Sequence, residues 1–164
     1  MNFDQQLQVL IKNAPQDGVT PKVIEKAVAP VLKMFAQELQ HLEYYILQNF
    51  QKNWVVTTLQ NRTTPNVQKK VIYAFTTLED AKTFQGINDP NIIATPIAVT
   101  HIIFQLFAMK EVDSLVFMEQ AGNLTNGAEV HQKDLQKAIQ SQLQKFTQEQ
   151  QKKQKSNNIP PNFA

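Results

Sequence analysis

The sequence predicts an α/β fold on the border of α+β. It has a mixed sheet of about five strands with a βαβαβ centre, an N-terminal helical arm and an amphipathic C-terminal helix. Three observations predict it. First, Lys70–Thr76 (KVIYAFT), Ile92–Val99 (IIATPIAV) and Leu115–Met118 (LVFM) are apolar on both faces, which suits strands inside a sheet covered by helices. Second, LEDAKTFQ and THIIFQLFAMK separate these runs, and that order fits short parallel strands joined by right-handed crossovers. Third, Ile92–Met109 is eighteen residues without a charge, read as a buried strand (Ile92–Val99) feeding a buried helix (His101–Met109). Neither half can stand in water, so other elements must wrap it.

A membrane span is the rival reading of that third stretch, because eighteen apolar residues is near the lower limit. Three features oppose it. Pro96 and the β-branched residues around it favour a strand. Thr95, Thr100, His101 and Gln105 would all need partners in lipid. The flanks, Asp89 on one side and Lys110, Glu111 and Asp113 on the other, are ordinary.

Taken in order, residues 3–13 place Phe3, Leu7, Leu10 and Ile11 on one helical face. The breaker Pro15-Gln16-Asp17-Gly18 follows. Thr20 is placed to cap the next helix and Pro21 suits its first turn. Its stripe is Ile24, Val28, Val31, Phe35, Leu39 and Leu42, and Pro30 inside it predicts a kink or a split. Glu43–Phe50 reads two ways: Leu42, Ile46 and Phe50 keep helical spacing, while Tyr44-Tyr45-Ile46-Leu47 has strand composition. Trp54–Leu59 reads as a strand, paired antiparallel with Val71–Phe75 through the polar loop Gln60–Gln68. Thr76 and Glu79 have the spacing of a capping box. Gln120–Gly127 is a turn by its Gly and Asn content, Glu129–His131 adds a short strand, and Leu135, Ile139, Leu143 and Phe146 stripe a last helix. The expected organisation is an arm over 1–42 packed on the main domain, an α/β domain over 43–146, and a flexible polar tail over 147–164. The arm's stripe also suits half of a dimer contact.

Composition narrows the function classes. Hydrophobic residues make up 42% of the 164 and charged residues 18%, enough for one domain with a substantial core. The chain has no cysteine, so disulfides, thiolate metal sites and cysteine nucleophiles are excluded. MNFDQQLQVL has no basic region ahead of its apolar residues, so a cytoplasmic location is expected and the two N-x-T sequons at Asn61 and Asn123 read as chance matches. Net charge is +2, and four lysines against one glutamate put +3 into the last twenty residues. The rest is slightly acidic and carries one arginine, Arg62, which weighs against a nucleic-acid interface.

Several short pieces in order resemble the SseB-type N-terminal domain. They are Trp54-Val55-Val56, then VIYAFTTLEDA (Val71–Ala81), ATPIAV (Ala94–Val99), the apolar helix through Phe104 and Leu106, and LVFMEQAGN (Leu115–Asn123), with Gly127 and Glu129 before the final helix. FTTLEDA is the most telling piece. The resemblance spans about Trp54 to Ile139, roughly half the chain, and leaves no room for the second domain of fuller members. It implies a cytoplasmic bacterial α/β domain without established enzymatic activity and supplies no catalytic residues.

In open α/β sheets ligands sit beyond the carboxyl ends of parallel strands. Here those ends bring up Thr77, Thr100, His101 and Asn123, with two helix N-termini that favour an anion. The same threonines are also what helix caps require. His41, His101 and His131 are scattered without ligand spacing, so no metal is expected, and no P-loop, GxGxxG or GxSxG motif implies a cofactor or catalytic residue. The leading expectation is a non-enzymatic protein-interaction or regulatory domain, self-associating or bound to a protein partner, with no membrane. The alternative is a binder of small anions, or an enzyme, built on the strand-end cluster near Thr77 and His101. Nucleic-acid binding through the lysine-rich tail ranks last.

Overall fold

The computed structural model describes residues 1–60, 63–64, 66–85 and 89–157. Pro65, the Asn61-Arg62 part of the first sequon, the Gly86 turn and the Pro-rich end at 158–164 lie outside the described residues. The elements run α1 (Phe3–Asn13), α2 (Thr20–Val23), a π-helical turn (Ile24–Val28), α3 (Ala29–Gln37), β1 (Glu43–Asn49), β2 (Thr57–Gln60), β3 (Gln68–Phe75), α4 (Leu78–Gln85), β4 (Ile92–Ala98), α5 (Val99–Ala108), β5 (Ser114–Met118), β6 (Gly127–His131) and α6 (Gln132–Asn157). The α/β expectation holds. The sheet is mixed and has six strands in the order β4-β1-β3-β5-β6, with β2 also paired to β3.

Glu43–Asn49, left open between helix and strand, is a strand. It lies between β4 and β3 and pairs antiparallel with both. Residues Tyr44, Ile46, Leu47 and Gln48 are buried because a strand inside a sheet has helices on both faces. β3 and β5 are parallel neighbours as expected. The third parallel member is displaced. β4 runs in the same direction as β3 but lies at the sheet edge, one strand away, and it is half exposed rather than central. Ile93 is 43% exposed. Periodicity reports which faces are apolar, not which neighbour a strand chooses. The strand expected at Trp54 begins at Thr57, and Trp54 itself makes one isolated bridge to Gln48.

The strand faces sort the core into two layers. Tyr44, Ile46, Ile72, Ala74, Leu115, Phe117 and Val130 point to one side and pack with α1, the α2–α3 helix, α5 and α6. Leu47, Phe75 and Met118 point to the other side, where α4 brings Ala81 and Phe84. Phe75 and Phe84 rings sit 5.0 Å apart. The first layer is the larger. It takes the N-terminal helices into the same cluster as the sheet, with Leu7, Ile24, Val28, Val31 and Leu32 all buried. α5 lies at its centre, with Val99, Thr100, Ile102, Ile103 and Leu106 fully buried.

Of the kink or split expected at Pro30, the split is absent: the helical run continues from Thr20 to Gln37. Proline lacks an N–H and its ring crowds the carbonyl four residues back. The turn ahead of it widens instead, and Ala29 N–H reaches Ile24 O, five residues back. The helix start also differs from expectation. Thr20 is helical, and the Asp17 carboxylate accepts from Val19 N–H, Thr20 N–H and the Thr20 hydroxyl at 2.6–2.9 Å. The Thr20 hydroxyl and these N–H groups hold the Asp17 pKa down to about 2. At the far end α6 continues to Asn157, past the expected fraying at Thr147. Among the described residues no helix is long and apolar enough to cross a membrane.

The β4 edge is interrupted by its proline. Val99 N–H donates to Leu42 O at 2.9 Å, and Leu42 stands opposite Val99, one step beyond the Glu43–Ala98 pair. Backbone groups alternate sides along an antiparallel strand. Ile97, Thr95 and Ile93 therefore bond to β1, while Pro96 faces outward, where its missing N–H leaves a gap in the free edge. We expect Pro96→Val to restore that donor on an uncharged edge. The variant should then associate more strongly with rising concentration than the parent, in sedimentation velocity. An unchanged profile would show that Pro96 does not guard this edge.

Candidate functional site

The helix N-terminus at Thr100 and His101 is already filled by the chain itself. Gln6, on α1, is 2% exposed. Its Oε1 accepts from the Thr100 hydroxyl at 2.8 Å and from Thr100 N–H at 3.2 Å. Its Nε2 donates to Leu42 O at 2.9 Å and to Met1 O at 3.2 Å. His101 Nε2 lies 2.9 Å from Gln6 O, a contact that places the proton on Nε2. With Val99 N–H spent on Leu42 O, the first free donors of α5 meet an amide oxygen where an anion would sit. Gln6 was legible in part. It falls on the apolar face of α1 between Phe3 and Leu10, where a polar residue needs a buried partner.

Thr77 and Asn123 lie on the other layer. Thr77 Oγ1 accepts from Asp80 N–H at 3.1 Å and caps α4, one residue later than the Thr76 of the expected Thr76–Glu79 box. Asp80 is 7% exposed and its Oδ2 accepts from Gly122 N–H at 2.8 Å, tying α4 to the turn after β5. Gly122 adopts φ 80°, a left-handed conformation that favours glycine. Asn123 Oδ1 accepts from Thr125 N–H and from the Thr125 hydroxyl, at 3.0 and 2.8 Å, and so shapes the turn. Of the four residues, Thr77 and Asn123 are thus joined through Asp80 and Gly122, and Thr100 and His101 through Gln6. The two pairs are not brought together. α4 and α5 leave the sheet on opposite faces, a choice the order of elements does not reveal. Among the described residues, five surface cavities of about 320–510 Å³ have linings that include none of the four.

A third polar group joins β1 to the end of β5. The fully buried Tyr44 accepts from His41 N–H at 3.3 Å, and its ring packs on Phe117 with centroids 4.9 Å apart. His41 Nε2 lies 3.2 Å from Glu119 O. Glu119 Oε2 is buried and has no hydrogen-bond partner among the described residues. Burial pushes the Tyr44 phenol up to about 12, against the His41 N–H and with the Glu119 charge. Such a phenol holds its proton at neutral pH and is a poor acid there. Among the described residues no three His, Asp or Glu side chains gather to hold a metal. A scan against protein-family models and a search of curated proteins return no match.

Two outcomes follow. Gln6→Leu leaves the Thr100 hydroxyl and N–H buried without acceptors and should cost about 2–3 kcal/mol in denaturant unfolding. Thr100→Val in that background should cost less than Thr100→Val alone; strict additivity would contradict the shared network. For Tyr44, the folded pKa is raised above the unfolded value of about 10. Its contribution to stability is therefore fully present below pH ~10 and is lost as pH rises toward ~12. An ultraviolet phenolate titration should show one of the three tyrosines ionising last, and Tyr44→Phe should remove that late step.

Proposed function

We propose that this chain is a non-enzymatic protein-interaction or regulatory domain of the bacterial cytoplasm, acting with a second copy or with a protein partner. The observation that carries this reading is where the polar groups and the open surface fall. Thr77, Thr100, His101 and Asn123 are each hydrogen-bonded within the chain, Thr77 and Asn123 locally as helix cap and turn, Thr100 and His101 to the distant Gln6. Meanwhile α4 covers the part of its sheet face over β1, β3 and β4. The rest of that face keeps a cavity of about 330 Å³, lined in part by Leu59, Tyr73, Val116 and Leu124. Apolar side chains left exposed beside polar ones suit an interaction site. The resemblance of Trp54 to about Ile139 to the SseB-type N-terminal domain points the same way. The small-anion reading loses support because its four residues fall on two faces, with the Thr100 donors taken up by Gln6.

Light scattering over a range of concentrations, with Val116→Lys alongside the parent, tests the proposal. The parent should associate, with itself or with a partner purified from its host, and a lysine at the centre of the open face should weaken that association while leaving the melting temperature near the parent's. A protein that stays monomeric, takes no partner, and is instead stabilised by phosphate or carboxylates in a thermal-shift series would overturn it.

A further inference from the structure

The two ends of the sheet are not equivalent. At β6, Gln132 N–H donates to Asp113 O at 2.9 Å, one step beyond the Ser114–His131 pair. Alternation then turns Val130 and Ala128 toward β5, and His131, Glu129 and Gly127 outward. β6 contains no proline, so each of these three offers an N–H along the free edge. At β4 the matching position is Pro96, and the Ile92 N–H is already spent on Asp89 O at 3.1 Å. One edge is interrupted and the other is continuous.

Two features flank the open edge. On the sheet face carrying the Gly127 and Glu129 side, Val116, Met118 and Leu124 line the cavity of about 330 Å³. At the C-terminal end of β6, a cavity of about 440 Å³ is lined by Lys110, Lys133, Lys137 and His131, with Asp113 and Asp134. Among the described residues those three lysines make no ion pair, whereas the Asp113 carboxylate accepts from Lys70 N–H at 2.7 Å. Glu129 is held by the Lys69 ammonium and the Ser114 hydroxyl. Burial acts to raise its pKa, but Lys69, Ser114 and the nearby His131 bring it below the ordinary value, so it stays an engaged carboxylate.

The geometry points to β6 as the docking edge for an extended acidic segment of a partner protein, which adds as a seventh strand antiparallel to β6. This rests on the protein-interaction reading and names its surface. In that direction the N-terminal residues of the segment lie beside His131, where acidic side chains meet Lys110, Lys133 and Lys137. The uncharged side chains that follow lie beside Gly127, against Val116 and Leu124. A second copy of β6 fits the lysines poorly, because its one acid is Glu129, already bound by Lys69.

The test uses the full chain and two fluorescein-labelled synthetic peptides. One carries Asp and Glu ahead of alternating Val and Thr; the other has lysine in place of each acid. Anisotropy should show binding of the acidic peptide and not of its counterpart. Lys133→Glu with Lys137→Glu should weaken it about tenfold, with a steeper loss at low salt. Glu129→Pro removes an outward N–H without touching the β5 ladder and should weaken binding about tenfold, whereas Glu129→Ala keeps that donor, frees Lys69 and should bind no more weakly than the parent. Should Glu129→Pro fail to fold, exchange protection of the Gly127 and Glu129 amides on adding peptide to the parent decides the same point. An acidic peptide that does not bind, binding indifferent to Glu129→Pro, or sedimentation showing β6 paired with a second copy overturns the proposal. Association lost with Val116→Lys yet untouched by Glu129→Pro sinks the edge and leaves the interaction reading standing; absence of any association sinks both.

Discussion

Helix α5 cannot meet water. It has no charged side chain across Val99–Ala108, and five of its ten residues are buried. Burying each large aliphatic side chain is worth about 1.5–3 kcal/mol, so leaving Val99, Ile102, Ile103 and Leu106 uncovered would cost an amount comparable to a domain's whole stability. One sheet face supplies its floor through Tyr44, Ile46, Ala74 and Phe117, and α1, α3 and α6 supply the walls. The N-terminal helices are therefore part of the core, because the helix they wrap has nothing else to cover it.

Covering α5 creates a polar debt at its first turn, where Thr100 is fully buried with a hydroxyl and an N–H. Gln6 settles both with one amide oxygen and hands its own N–H groups to Leu42 and Met1. The same contact explains why a promising anion position is closed. A buried donor left open is costly, so a chain without a permanent ligand tends to supply its own acceptor. On the other layer Asp80 plays the matching part, bonding the turn at Gly122 and closing the α4 end of the sheet. The polar residues at the carboxyl ends of the strands act as joints between layers.

The insertion of β1 sets the edges. Because β1 pairs with β4 across all seven residues of each, β4 is pushed outward and exposes Ile93. The edge it presents has no charge, and Pro96 is what interrupts its row of donors. β6 has no such device. An asymmetry of this kind, one edge interrupted and one continuous beside three lysines that make no ion pair among the described residues, is a structural difference that composition alone cannot express.

What the sequence by itself determined was local. The two-sided apolar runs at Lys70–Thr76 and Leu115–Met118 became central strands, and the striped segments became helices, because periodicity records burial directly. Ile92–Met109 was legible as strand then helix for the same reason. Only the tertiary structure decided the rest: that Glu43–Asn49 is a strand, that it separates β4 from β3, and that α4 and α5 take opposite faces. Each of those depends on which distant segment supplies the hydrogen bonds and the covering surface. Thr77 and His101 share one end of the sheet in sequence logic, yet their partners, Asp80 and Gln6, stand on opposite layers. A residue's type and spacing say that it needs a partner; the fold says which one it finds.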